Sequence, residues 1–112
     1  MTSGPSDFLA KVDAILEINL ANENFSIEQL SQSIGYSYTH TYRKIQKATG
    51  SSPSIYLRNK RLDKACQLLK ATDLTINQIA FQVGFKTQSY FSAKFSEYMG
   101  CSPKHYRKKG GF

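Results

Sequence analysis

The chain has 112 residues, of which 40% are hydrophobic, and a formal net charge of +7. This length suffices for one small domain or two very small subdomains. No apolar run reaches the roughly 18 residues of a membrane span and the N-terminus lacks a signal-peptide pattern, so we expect no membrane segment. Cys66 and Cys101 are spaced like neither a metal site nor a redox motif. We therefore expect no metal, no cofactor and a cytoplasmic location.

The positive charge is concentrated in two parts of the chain. Residues 1–35 carry five acidic side chains and one lysine, whereas residues 36–61 carry six lysines or arginines and no acid. Residues 75–112 carry six basic side chains and one glutamate. This segregation favours a polyanionic partner over a role in solubility alone.

The first predicted element is a helix that follows a disordered leader, residues 1–6. Asp7 can cap this helix, which we expect to end near Asn22. Its apolar residues recur at helical spacing: Phe8, Leu9, Val12, Ile15, Leu16 and Leu20. Asp13 and Glu17 make its outer face acidic, so we expect that face to point away from a polyanion.

A segment that opens at Ser26 is repeated from Thr75. Each copy begins with capping-box spacing, Ser26 with Gln29 and Thr75 with Gln78. Each predicts a short helix that ends near a glycine, Gly35 or Gly84, in the left-handed conformation that reverses the chain.

A longer helix follows in each copy. Ser37 is the predicted cap of one that runs to about Thr49, and Thr87 of one that runs to about Met99. A short helix, a glycine turn and a longer helix form a helix-turn-helix, whose second helix lies in the DNA major groove. The copies are 49 residues apart at the first glycine and 50 apart at the second, so one extra residue has entered the second copy.

A long helix is predicted between the copies. Pro53 suits its first turn, and it runs to about Ala71. Its 19 residues span about 28 Å, close to the roughly 34 Å between adjacent major grooves. Pro103 starts a last short helix. The sequence thus predicts an all-α fold of about seven helices: a helix-turn-helix subdomain at 7–52, a linker helix at 53–72, a second subdomain at 73–108 and a tail at 109–112.

These motifs resemble the AraC/XylS family of bacterial transcription regulators over about residues 8–108. The matching patterns are Arg61-Leu62-x-x-Ala65-x-x-Leu68-Leu69, Ile76-x-x-Ile79-Ala80-x-x-Val83-Gly84-Phe85, Ser89-Tyr90-Phe91-Ser92-x-x-Phe95 and Gly100-x-Ser102-Pro103-x-x-Tyr106-Arg107. The resemblance implies seven helices and sequence-specific binding of double-stranded DNA by two recognition helices in adjacent major grooves. Tyr42-Arg43-Lys44 and Gly50-x-Ser52-Pro53 are also similar to output domains of response regulators and hybrid two-component sensors. We therefore expect a transcription activator that meets RNA polymerase and is regulated by a sensor or receiver domain outside this chain.

On the first recognition helix, Thr39, Tyr42, Arg43 and Gln46 share a face by helical geometry, and we expect all four to contact bases. The resemblance matches the first three to base-reading positions. The fork of Arg43 can take O6 and N7 of a guanine, although a phosphate contact is the alternative. Ile45 must point inward.

On the second recognition helix, the resemblance matches Gln88, Ser89 and Ala93. We expect base contacts from Gln88, Ser89 and Ser92, with Gln88 able to pair with adenine. Ala93 departs from the family, which often has Arg there. The first unit should therefore supply more direct base readout and the second more backbone and shape readout. Phosphate contacts are expected from Ser37, Lys44, Lys47, Arg58, Lys86, Lys94 and Lys104.

Other positions favour structural roles. We expect five aromatic residues in the core: Tyr36, Phe85, Phe91, Phe95 and Tyr98. Arg61 fits either helix bracing or DNA contact. Thr41 stands where the family usually has Leu, which predicts looser packing in the first unit.

Three other functions compete with DNA binding, of which an RNA-binding module is the least favoured because no sheet for base stacking is indicated. A helical protein-interaction module for an acidic partner is the main alternative, and the acid-free segment 36–61 argues against it. An enzyme is a further alternative, because some DNA-repair regulators attach a cysteine-rich methyl-acceptor domain to this fold. No acid/base constellation occurs here, so we predict no catalytic residue.

Overall fold

The computed structural model describes residues 5–110, and side chains within residues 7–109. This part of the chain contains seven α-helices and no strand, as predicted: α1 Pro5–Asn19, α2 Ile27–Ile34, α3 Tyr38–Thr49, α4 Pro53–Ala71, α5 Ile76–Gln82, α6 Gln88–Met99 and α7 Pro103–Gly110. Most of the predicted leader (1–4) and the end of the predicted tail (111–112) lie outside the described residues.

The prediction was wrong at the ends of α1 and α7. α1 begins at Pro5 rather than after an Asp7 cap, because proline is well suited to the first helical turn. It ends at Asn19, three residues before the predicted Asn22. α7 continues to Gly110 and so includes the beginning of the predicted tail.

The described residues form two compact units. The first contains residues 5–19 and 24–58, and the second contains residues 20–23 and 59–110. The predicted linker, α4, is thus shared between the units. The short stretch 20–23, between α1 and α2, belongs to the second unit rather than the first.

The first unit buries one face each of α1, α2 and α3. Val12, Leu16, Leu30 and Ile45 are at most 1% exposed, and α1 packs against both α2 and α3. Thr41 is also fully buried, and its hydroxyl donates to the Ser37 carbonyl at 2.9 Å. That bond satisfies the buried Thr41 hydroxyl, which stands where the family usually has a leucine.

The second unit is packed around aromatic rings. Phe91 lies between Phe85 and Phe95, with ring centroids 5.2 Å and 5.7 Å away. All three are buried, which agrees with the expected core placement. Offset or tilted ring pairs of this kind add to the stabilisation from burial.

Two of the five aromatic residues predicted for the core are exposed instead. Tyr36 is 36% exposed and stacks on Phe8 and His40. Tyr98 is 41% exposed and donates its hydroxyl to Asp63 at 2.7 Å. A tyrosine can pack its ring while its hydroxyl remains at the polar surface, which helical spacing alone does not reveal.

The predicted capping boxes are present in both copies. Ser26 Oγ accepts from the Gln29 N–H at 3.1 Å, and the Ser26 N–H donates to Gln29 Oε1 at 2.9 Å. Thr75 and Gln78 repeat both bonds. These contacts satisfy N–H groups that the first turn of a helix otherwise leaves free, and so fix where α2 and α5 begin.

Arg61 and Arg107 bind carbonyl groups in the second unit. Arg61 donates from Nε to the Leu20 carbonyl and from Nη2 to the Asn22 carbonyl, at 3.2 and 2.8 Å. Arg107 binds the Leu69 and Thr72 carbonyls in the same way, at the end of α4. Burial lowers the pKa of Arg61. The structure therefore gives Arg61 a bracing role, and a DNA contact by Arg61 stays a prediction.

Candidate nucleic-acid interface

The exposed face of α3 is set by what the opposite face buries. Thr41 and Ile45 are fully buried, and successive residues of a helix are rotated by about 100°. Thr39, Arg43 and Gln46 therefore point away from the core and are exposed, with Tyr42 half-buried beside them. The structure brings the four predicted base-contacting residues of α3 together on one face.

The N-terminus of α3 is ordered by a cap. Ser37 Oγ accepts from the His40 N–H at 3.1 Å, so the predicted phosphate contact of Ser37 has to come from its hydroxyl proton or backbone. His40 stacks on Tyr36 with ring centroids 4.5 Å apart. Both contacts hold the first turn of α3, which in this motif is the part nearest the bases.

α6 repeats this construction with larger buried side chains and smaller exposed ones. Its buried Phe91 and Phe95 correspond, 50 residues later, to Thr41 and Ile45. The face equivalent to the α3 reading face consists of Ser89, Ser92, Ala93 and Ser96. All four are exposed or half-buried.

Ser96 also lies on this face and is not among the predicted base-contacting residues. Ser96 corresponds to Gln46 at the 50-residue offset, which was itself visible in the sequence. Gln88 lies in the first turn of α6, is exposed, and corresponds to Tyr38 rather than to a residue of the α3 face.

Two lysines predicted to bind phosphate already have partners in the chain. Lys44 Nζ lies over the Phe8 ring, 4.9 Å from its centroid. Lys94 Nζ is 3.3 Å from a Glu97 carboxylate oxygen and lies over the Tyr90 ring. Contacts of this kind hold the Lys44 side chain against α1 and the Lys94 side chain against α6 itself. The phosphate contacts of Lys44 and Lys94 stay predictions, with these contacts as the competing role.

The other predicted phosphate ligands differ in their exposure. Lys47, Lys86 and Lys104 are exposed, and Arg58 is half-buried. The buried Nε of Arg58 has no hydrogen-bond partner among the described residues.

Two residues separate Gly84 from Thr87, whereas one separates Gly35 from Ser37. The extra residue of the second copy therefore lies in the turn of its helix-turn-helix, where Lys86 is exposed.

Residues 5–110 contain no group of three or more His, Cys, Asp or Glu that could hold a metal ion. Within the same range, no helix is both long and apolar enough to cross a membrane. Cys66 and Cys101 are free thiols, and burial raises the pKa of Cys66, which lowers its thiolate fraction at neutral pH.

Two helix-turn-helix units with capped, outward-facing recognition helices define a DNA-binding domain. Residues 30–109 match the family model described as "Helix-turn-helix domain". The chain belongs to this family, in its AraC-type branch of transcription regulators.

The domain occurs in relatives of very different length. The chain is 36% identical over 109 residues to "Histidine kinase P4" of Formosa agariphila, with 97% of this chain and 8% of that protein covered. It is 31% identical to "HTH-type transcriptional activator AarP" of Providencia stuartii, with 95% of this chain and 78% of that protein covered. The chain thus spans a small part of the first relative and most of the second.

Solved structures show the same fold. The C-terminal domain of the two-component response regulator yesN from Fusobacterium nucleatum is 33% identical, has a TM-score of 0.81, and is matched over 90% of this chain and 98% of that chain. The DNA-binding domain of AdpA, solved in complex with a target DNA, is 29% identical with a TM-score of 0.83, over 96% of this chain and 93% of that one. The chain is a sequence-specific DNA-binding domain of this family.

Proposed function

We propose that α3 and α6 each enter a major groove, in adjacent grooves of the same duplex, and that Arg43 is the principal base-reading residue. The observation that supports this most directly is the exposed face of α3, where Arg43 lies opposite the buried Thr41 and Ile45. A guanidinium in this place can donate two parallel bonds to a guanine edge. Thr39, Tyr42 and Gln46 flank it on the same face.

The two units divide the reading between them. The α3 face carries long donors, whereas the equivalent α6 face carries three serines and Ala93. Small side chains allow a helix to approach the groove closely but supply few base-specific bonds. The second unit therefore contributes mainly backbone and shape readout, with Gln88 as its strongest direct reader. Exposed Lys47, Lys86 and Lys104, together with Arg58 and Ser37, contact phosphates.

Selection of binding sites from fragmented genomic DNA tests this proposal. With the selected duplex, Arg43→Ala should lose about 1–3 kcal/mol of discrimination between the selected base pair and its alternatives. Lys11→Ala removes one positive charge from the exposed side of α1 and serves as the control. A larger loss of discrimination from Gln88→Ala than from Arg43→Ala would contradict the proposed division.

The same experiment separates DNA reading from the alternative of a module for an acidic protein. Log affinity for the selected duplex should fall linearly as log salt rises. An interaction module would show neither a selected sequence nor a preference between duplexes of equal length.

We further propose that the chain is the output part of a regulator that activates transcription in the cytoplasm and acts by binding rather than by catalysis. The similarity to a response-regulator domain and to a histidine kinase supports control by a sensor or receiver domain. The similarity to an activator supports activation, which we propose proceeds through RNA polymerase. Transcription in vitro from a promoter that carries the selected site should rise when the chain is added. A fall in the amount of transcript would contradict activation and indicate repression instead.

A further inference from the structure

Tyr38 is the first residue of α3 and is not among the residues predicted to contact DNA. The buried pairs Thr41 with Phe91, and Ile45 with Phe95, fix the register of α3 against α6 at 50 residues. In that register Tyr38 is the counterpart of Gln88, the residue proposed as the strongest direct reader of the second unit. Both follow their helix caps, Ser37 and Thr87, at the first position of the helix.

The side chain of Tyr38 is paired with a residue of the reading face. It is 46% exposed, although aromatic side chains gain most from burial. Its ring lies 6.4 Å from the ring of Tyr42, at an angle of 36°. The two rings together form an aromatic surface at the end of α3 that this motif brings to the bases.

The chemistry of this surface restricts what it can recognise. A phenyl ring offers no directed hydrogen-bond pattern, and the thymine C5-methyl group is the apolar feature that base pairs present in the major groove. The geometry points to the Tyr38–Tyr42 pair as a contact surface for a thymine methyl group, with Tyr38 as a specificity-determining residue. This inference rests on the proposed insertion of α3 into the groove.

Deoxyuridine substitution tests the contact directly, because it removes the methyl group and leaves the hydrogen-bond pattern unchanged. Each thymine of the selected duplex is replaced in turn, and Kd is measured by fluorescence anisotropy. For the wild-type chain, one position should weaken binding about fourfold, the value expected for about 0.8 kcal/mol of buried methyl. Tyr38→Ala should bind the thymine and deoxyuridine duplexes at that position equally well.

Two further variants control for folding and for the hydroxyl group. Tyr38→Phe retains the ring and should retain the thymine dependence. Tyr90→Ala removes a tyrosine that is 51% exposed on α6 but lies outside its reading face, and should also retain it. Because the readout is a ratio of two affinities for one variant, a general loss of stability cancels.

The inference and the proposed function fail separately. If the wild-type chain selects a site but no thymine shows the dependence, the methyl contact is wrong. If Tyr38→Ala keeps the dependence, Tyr38 is not the specificity-determining residue. In both cases the groove insertion stands. If the wild-type chain selects no sequence, the proposed function fails and the methyl contact fails with it.

Discussion

Both the backbone conformation and the lack of space for a side chain require glycine at position 84, whereas only the backbone conformation requires it at its counterpart Gly35. Both have a positive φ, 93° and 78°, which L side chains adopt at a cost. A Cβ at Gly84 would also overlap the Leu20 carbonyl oxygen and lie 2.7 Å from Arg61 Nε, whereas a Cβ at Gly35 would meet nothing within 4 Å. The carbonyl that Arg61 binds is therefore the one that excludes a side chain from Gly84.

Substitution of these glycines separates the two constraints. Gly35→Ala should cost about 1–2 kcal/mol of unfolding free energy from the left-handed backbone alone. Gly84→Ala should cost about 1–3 kcal/mol more, because the overlap forces the neighbouring backbone or Arg61 to move. Urea denaturation of both variants measures the difference. Equal losses would show that the segment 20–23 does not press on Gly84.

Tyr98 gives the chain a pH dependence at alkaline pH. Partial burial of the Tyr98 side chain, and then the bond to Asp63, raises the pKa of Tyr98 to about 12. The folded-state pKa is above the unfolded value of about 10, so the contribution to stability is complete below pH ~10 and is lost as pH rises toward 12.

The difference in unfolding free energy between wild type and Tyr98→Phe should therefore narrow between pH ~10 and 12. Denaturation at several pH values, with Tyr38→Phe as a second tyrosine-to-phenylalanine baseline, measures it. A difference that stays constant over this range would mean that Tyr98 titrates alike in both states.

At the scale of elements, the caps decide where the helices begin. The Ser26 and Thr75 side chains each accept from an N–H of the first turn. The Gln29 and Gln78 side chains in turn accept from the Ser26 and Thr75 backbone N–H groups. Because a cap satisfies groups that nothing else in a short helix can reach, its effect is large relative to the length of α2 and α5.

Removing either cap should therefore destabilise the chain measurably. Ser26→Ala and Thr75→Ala should each lower the unfolding free energy by about 1 kcal/mol. Ser33→Ala is the control, because the Ser33 hydroxyl only bonds back to the Gln29 carbonyl on the exposed surface of α2. Amide exchange at the first turns of α2 and α5 would locate the effect. Losses no larger than that of Ser33→Ala would contradict it.

These elements show what could be predicted from the sequence. Caps, glycine turns and helical periodicity are local, so α3, α4 and α6 have the predicted bounds. Contacts between distant residues carry no local signal. Nothing near Arg61 in the sequence indicates the Leu20 and Asn22 carbonyls, and nothing near Lys44 indicates the Phe8 ring. The reading face of α3 can be predicted from periodicity. Periodicity does not show which lysines already contact an aromatic ring or a carboxylate of the chain.

At the scale of the whole molecule, charge is the property that a DNA partner meets first. The net charge of +7 comes mainly from residues 36–61 and 75–112, which include both recognition helices. Lysines in these segments differ in whether their charge is available: Lys47 and Lys86 are exposed, and Lys94 is ion-paired.

The salt dependence of DNA binding should reveal this difference. Lys47→Gln and Lys86→Gln should each reduce the slope of log affinity against log salt by about 1. Lys94→Gln should reduce it less, because a lysine whose charge is already neutralised by Glu97 releases fewer counterions from the DNA phosphates. Titrations at several salt concentrations measure the slopes. A uniform effect of all three substitutions would mean that the Lys94 pair breaks on binding.

The assignment of residues 20–23 to the second unit has a consequence for the history of the chain and for experiments on it. The two copies can have arisen by tandem duplication, but a cut at any single peptide bond no longer separates them. A fragment that ends at residue 58 would leave the Leu20 and Asn22 carbonyls without Arg61. A fragment that begins at residue 59 would lack the backbone that covers Gly84. Half-site binding is therefore better dissected by point substitutions in the intact chain than by deletion of either copy.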